Sequence, residues 1–240
     1  MQIRLANKTI DYLGHRITFP DSGNIEIHIR NILSGKNYPL FLAPNFAPKQ
    51  IIDIGANVGA TALFFVTHYP NAQVYCYEPC ISNFQFLEMN TSKIKSLMRI
   101  NLGLSDRNER QKLYLGRNQC LQHSVYPSIE VTDEFEYIEM RPASEQISKH
   151  FAVPCIIKID TEGCEVPILK DIGNLLHHVS LLYLEYHSED DRLEIDQLLK
   201  TNFKLLSADT QTVHRGNLMY ISNTLIDRYP QLSILEIKRQ

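Results

Sequence analysis

Residues 51–60, Ile51-Ile-Asp-Ile-Gly-Ala-Asn-Val-Gly-Ala60, constrain this chain more than any other stretch. A short apolar β run ends in an acid and a glycine turn, and the turn opens directly into the helical run Thr61-Ala-Leu-Phe-Phe-Val-Thr67. Glycine accepts the backbone angles of such a turn and lets a ligand approach the main chain. Asp53 stands where it can reach a cationic or hydroxyl-rich ligand; Asn57 and Gly59 expose amides at a helix start. With Gly55, the spacing D-x-G-x-N-x-G reads as a nucleotide-type cofactor pocket. It is not the dinucleotide fingerprint G-x-G-x-x-G, because position 57 holds no glycine. The plain alternative is a tight turn between strand and helix.

The next strand strengthens the cofactor reading. Gln73-Val-Tyr-Cys-Tyr77 is β-rich and stops at Glu78-Pro79. A carboxylate at the tip of the second strand of a βαβ unit accepts hydrogen bonds from ribose hydroxyls, and proline ends the strand. Glu78 follows Gly59 by 19 positions (78 − 59), against about 20 for that role.

Strand-like runs recur at 50–54, 74–78, 98–104, 155–160 and 181–186, alternating with helix-like runs at 60–67, 82–90, 165–172 and 190–200. That alternation implies an α/β fold, a mostly parallel, doubly wound sheet with helices on both faces. Residues 203–207 and 218–222 add an antiparallel C-terminal strand pair. Residues 1–49 read as a β-rich extension packed on the main domain, with strands expected near 8–13, 16–19 and 24–29, and the main domain runs from 50 to 240. Within the less regular 105–150 segment, 112–115 and 137–140 are candidate extra strands over the pocket.

At 240 residues with 44% hydrophobic and 21% charged content, the chain has the composition of a soluble globular protein. Its net charge of −3 and lack of a long basic run argue against nucleic acid as partner; the Lys93-Ile-Lys95 patch and the Lys238-Arg239 tail read as solvated surface. No apolar run approaches the roughly 20 residues of a membrane helix, so no membrane partner is expected. Cys76, Cys80, Cys120, Cys155 and Cys164 form an odd set without a C-x-x-C pair. They read as reduced thiols of a cytoplasmic protein.

A second constellation follows from the rule that ligands bind outside the carboxyl ends of parallel strands. The fourth strand runs into Asp160-Thr-Glu162-Gly163-Cys-Glu165, and the fifth into Glu185-Tyr-His187. Glu165 reads as a first-turn acid favoured by the helix dipole. Asp160 and Glu162 read as pocket acids, Lys158 as a partner for one of them or a residue of the opposite face. His187 is either a hydrogen-bonded structural histidine or a catalytic one.

Together, Asp53-Ile-Gly-Ala-Asn-Val-Gly59, Tyr77-Glu-Pro79, Lys158-Ile-Asp-Thr-Glu-Gly163 with Glu165, and Leu184-Glu-Tyr-His187 resemble the FkbM family of S-adenosylmethionine-dependent methyltransferases. Ile32-Leu-Ser-Gly-Lys-Asn-Tyr-Pro39 is similar to the segment that precedes the first motif there. Cys164 departs from the usual small residue, and 117–150 matches least. The resemblance implies a Rossmann-like sheet of the class I methyltransferase type and transfer of a methyl group to a hydroxyl of a small-molecule or saccharide acceptor. On it, Asp53, Gly55, Asn57, Gly59 and Glu78 hold the cofactor, with Ser105 and Asp106 beside its adenine. His187 or Asp160 is the general base, and Glu162 and Glu185 orient the acceptor or the base. No dedicated metal site is assigned; in one variant Asp160, Glu162 and Glu185 offer oxygen ligands to Mg²⁺. Two other classes compete: a nicotinamide-dependent oxidoreductase, which would need G-x-G-x-x-G, and a non-catalytic cofactor-binding module.

Overall fold

The chain enters as a hairpin, β1 (Asn7–Tyr12) antiparallel to β2 (His15–Pro20). The structure is a computed structural model that describes residues 6–116, 123–126 and 131–229; Cys120 and the Lys238-Arg239 tail lie outside them. The segment expected as a third strand, 24–29, is instead the start of helix α1 (Ile25–Leu33). Ile25, Ile29, Ile32 and Leu33 are buried whereas Ile27 is 59% exposed, a period near 3.6 rather than 2. Over six residues Ile25, Ile27 and Ile29 satisfy a strand pattern equally well; Ile32 and Leu33 decide for helix.

The alternating part follows as β3 (Gln50–Ile54), α2 (Ala60–His68), β4 (Gln73–Tyr77), α3 (Ile81–Thr91) and β5 (Leu97–Ile100). Then come β6 (Gly103–Ser105), β7 (Glu109–Gly116), β8 (Val131–Pro142) and α4 (Ala143–Ser148). The chain returns through β9 (Cys155–Ile159), α5 (Glu165–Asp171), β10 (Val179–Tyr186) and α6 (Glu189–Leu199), and closes with β11 (Phe203–Thr212), β12 (Arg215–Ser222) and α7 (Asn223–Arg228).

The central sheet has seven strands in the order β11-β12-β10-β9-β3-β4-β5. β10, β9, β3, β4 and β5 are parallel; β12 runs antiparallel to β10 and to β11. Every residue of β3 and β9 is buried, as strands covered on both faces must be. One face packs Ile51, Ile156 and Tyr183 under Leu63, Phe64 and Phe65 of α2; the other packs Ile52, Ile157 and Leu182 against Ile168 and Ile195. Each such side chain contributes about 1.5–3 kcal/mol.

The expected single strand 98–104 divides. β5 ends at Ile100, Leu102 N–H turns back onto Ile100 O, and β6 leaves to pair parallel with β8 in a separate three-stranded sheet, β6-β8-β7. The candidate strands at 112–115 and 137–140 are the paired middles of β7 and β8. The chain proceeds outward from β3 to β5 and then back to β9, so the direction of winding reverses between β3 and β9. A crevice opens there.

Candidate active site

Both strands at the reversal point end on one cavity. After β3 the backbone takes left-handed angles at Gly55 (φ 79°), Asn57 (φ 50°) and Gly59 (φ 91°). Gly55 is required sterically: a Cβ there would lie 1.8 Å from Asp160 O. Asn57 tolerates its angle better than most residues, and its Oδ1 accepts from Val58 N–H at 2.7 Å. Asn57 N–H in turn donates to Glu78 Oε2 at 2.8 Å, and Cys80 N–H to Glu78 Oε1 at 2.9 Å. Each oxygen keeps a lone pair for a ligand. Burial pushes the Glu78 carboxyl up to about 7, against the pull of those two amides.

The cavity runs from an apolar slot of Leu102, Leu104, Leu113, Ile138 and Met140, past Glu78 and the Gly55–Asn57 turn, to Asp160, Thr161, Glu162 and Glu185. Ile25, His28 and Ile29 of α1 form its opposite wall. The acids at its far end are interleaved with cations. Lys158, 1% exposed, places Nζ 3.2 Å from Asp53 Oδ1 and 3.7 Å from Asp160 Oδ2, and donates to Gly55 O at 2.6 Å and Ile54 O at 3.2 Å. Tyr38 Oη donates to Asp160 Oδ2 at 3.0 Å. Burial alone would raise the Asp160 carboxyl, but Lys158 and its other neighbours hold it well below the carboxylate range. Burial and the adjacent Asp160 charge push Glu185 the other way, well up.

Behind this row, His187 Nε2 lies 3.1 Å from Glu162 Oε2 and 3.6 Å from Glu185 Oε2, and Nδ1 lies 3.5 Å from Glu165 Oε1. Burial would lower its pKa, yet Glu165 and Glu162 push it up to about 12. In the imidazolium form this favours, His187 pairs with Glu162, Glu165 and Glu185 and has no lone pair to accept a proton. Arg215 of β12 also donates to Glu162 Oε2. Glu162 carries a left-handed φ of 57°, a conformation held against local strain. Glu165 does more than favour a helix dipole. It accepts from Thr161 N–H at 2.7 Å, Gly163 N–H at 2.9 Å and Thr161 Oγ1 at 3.0 Å, and so ties the acid loop to the first turn of α5.

Of the residues singled out in the sequence, Gly55, Asn57, Glu78, Asp160, Glu162 and Glu185 line the cavity. Asp53 lies beneath it, fully buried against Lys158, which takes the place of the ligand expected there. Gly59 caps α2, where a Cβ would press on Leu87. Ser105 and Asp106 are not brought to the cavity: Ser105 Oγ accepts from Arg107 N–H within its own turn and Asp106 pairs with Arg107. Leu102 and Leu104 occupy the wall instead, because the chain leaves the sheet at Ile100. His28, Tyr38, Gln211 and Arg215 were not singled out in the sequence. The four described cysteines are buried and unpaired. Among the described residues, Asp160, Glu162, Glu185 and His187 bring one ligand-type atom each within 4.8 Å of one another, the donor set a metal ion would use.

A glycine turn after the first strand, a buried acid after the second, acids after the fourth and fifth, and an antiparallel last pair define a class I, Rossmann-like methyltransferase. The profile of the methyltransferase FkbM domain matches residues 53–206, and the chain belongs to that family. It is 25% identical over 153 residues to the hexuronic acid methyltransferase AglP of Haloferax volcanii, a match covering 61% of this chain and 59% of AglP. A crystal structure of methyltransferase FkbM from Methylobacillus flagellatus KT superposes with a TM-score of 0.54 at 17% identity, covering 79% of this chain and 47% of that one. The chain thus spans 59% and 47% of the lengths of these two proteins. No helix among the described residues is long and apolar enough to cross a membrane.

Proposed function

We propose that the chain transfers the methyl group of S-adenosylmethionine to a hydroxyl oxygen of a sugar or a related polyhydroxylated metabolite. The observation that carries this reading is the continuity of one cavity from the Glu78 carboxylate and the Gly55–Asn57 turn to Asp160, Glu162 and Glu185. S-adenosylmethionine, when bound, supplies an electrophilic methyl on a positively charged sulfur. On this reading the slot of Leu102, Leu104 and Met140 takes a flat base, Glu78 accepts from ribose hydroxyls, and the acids beyond receive the acceptor's hydroxyls. Aligning nucleophile and methyl in a water-poor cleft can lower a barrier by about 7–11 kcal/mol. The likeness to a hexuronic acid methyltransferase supports a saccharide acceptor.

Mg²⁺ at Asp160, Glu162 and Glu185 is a variant of this reading. Against it stand Lys158, Arg215 and the His187 imidazolium, which already balance those carboxylates. The test is calorimetric titration with S-adenosylhomocysteine, then mass spectrometry of a saccharide panel incubated with S-adenosylmethionine. Micromolar binding and a product heavier by one CH₂ are expected, unchanged by exhaustive chelation. Absence of binding would refute the reading, and loss of turnover on chelation would favour the ion.

A further inference from the structure

A second, open cleft of about 540 Å³ adjoins the cavity, within the roughly 300–1,000 Å³ range of small-molecule sites. α1 and the segment after it form one side, and the β11–β12 hairpin forms the other. Its lining is polar: Asn24, Asn31, Asn37, Asp209, Thr210 and Gln211, with Lys36 also present. Asn37 is 5% exposed and lines this cleft. Three residues line both spaces: His28, Gln211 and Arg215. Arg215 is committed to Glu162 and Glu185. His28, three residues after Ile25 and four before Ile32, sits on the cavity side of α1 at the neck between the two spaces.

We propose that this cleft admits the polyhydroxylated acceptor and that His28 is the general base that takes the proton of its reacting hydroxyl. The inference rests on the methyl-transfer reading. As the acceptor oxygen bonds to the methyl carbon, the carbon–sulfur bond breaks and its electron pair remains on sulfur, leaving a neutral thioether. The hydroxyl proton passes to the unprotonated ring nitrogen of His28 and from there to water in the cleft. Burial lowers the His28 pKa, the direction that favours the neutral ring; Asp160 and Glu162 act in the opposite sense, Lys158 and Arg215 in the same one. Lys36, on the same side of the cleft, and Asp209, on the opposite side, also line it. Unlike His187, His28 has a lone pair to offer.

The test uses the full chain with S-adenosylhomocysteine or S-adenosylmethionine, and methyl β-D-glucopyranoside and its uronic acid counterpart as probes. His28→Gln is expected to lower kcat by about 10²–10⁴-fold and to remove the acid limb of its pH profile, with S-adenosylhomocysteine affinity unchanged. Gln211→Ala is expected to raise KM about 2–10-fold, the loss of one hydrogen bond, with kcat preserved. In NMR spectra of the S-adenosylhomocysteine complex, the His28 ring signal shifts on adding either probe. A kcat loss below about tenfold with the acid limb retained, or an unmoved His28 signal, overturns the proposal. Where a probe binds without turnover, the NMR arm alone decides. Failure of the methyl-transfer reading shows separately, as absent S-adenosylhomocysteine binding in the wild type.

Discussion

Replacing Lys158 with methionine keeps most of the side chain's length and removes its charge. Nζ compensates Asp53 at 3.2 Å and Asp160 at 3.7 Å, and holds Gly55 O at 2.6 Å. Asp53 is 0% exposed, and among the described residues neither of its oxygens has an aligned hydrogen-bond partner. The variant therefore strands a buried acid, which costs about 3–5 kcal/mol, a large part of the ~5–15 kcal/mol of a typical domain. Burial already raises the Asp53 carboxyl while Lys158 pulls it down; without Lys158 it rises further. A carboxyl raised in the fold contributes stability below its unfolded pKa and loses it as pH rises through the folded value. The deficit of Lys158→Met therefore grows between pH 5 and pH 8, and adding Asp53→Asn recovers part of it. Urea unfolding of wild type, single and double variants at both pH values measures this. A deficit below about 1 kcal/mol, a deficit independent of pH, or a double variant no more stable than the single one would refute the account.

With its carboxyl near pH 7, Glu78 is ionised above that value, the form that accepts from hydroxyl donors. Affinity for S-adenosylhomocysteine should rise about tenfold from pH 6 to pH 8, as the ionised fraction does. Glu78→Gln should bind about 10–100-fold more weakly, the loss of a charge-assisted hydrogen bond, with a flat pH profile; calorimetry that finds the slope intact in the variant sinks this assignment. Gly55→Ala forces a Cβ into Asp160 O at a φ of 79°. It should destabilise by more than about 3 kcal/mol and abolish binding, checked by thermal melts and titration. His187, raised to about 12, gives stability that is full below its unfolded pKa and falls as pH rises above it. Between pH 7 and pH 9 the wild type should lose about 1.4 kcal/mol per unit relative to His187→Gln; parallel pH curves for the two would contradict it.

Strands 50–54, 155–160 and 181–186 were legible because parallel strands buried on both faces write themselves as continuous apolar runs ended by an acid or a glycine. The same local grammar marked Gly55, Glu78 and Asp160. What stayed hidden depends on distant packing. Asp53 looks like a ligand-binding acid until Lys158, 105 positions away (158 − 53), is placed beside it by the β3–β9 register. Ser105 and Asp106 follow a strand in sequence, but the chain leaves the sheet after Ile100 and turns them away. His28 was concealed by its segment's double periodicity: read as a strand it falls with Glu26 on the face opposite Ile25, Ile27 and Ile29, and as a helix it shares one with Ile25 and Ile32. Tyr38 and Arg215 reach the acids through tertiary contacts that no local pattern records.

The interleaving of charges at the strand ends has a catalytic meaning on the proposed reading. Transfer of a methyl from a sulfonium erases a positive charge, so a site that is strongly negative at the sulfur stabilises the starting state more than the transition state and slows the step. Yet acids are needed there to receive hydroxyls. The fold meets both demands by setting cations among the acids: Lys158 beside Asp53 and Asp160, and His187 and Arg215 on Glu162. Burial and the Asp160 charge raise the Glu185 carboxyl, the direction that disfavours a further negative charge there. The carboxylates thereby keep their lone pairs while the local field approaches neutrality, and a cationic donor gains little from simply residing there. Removing any one of these cations should therefore tighten binding of the charged donor relative to its neutral product even as turnover falls.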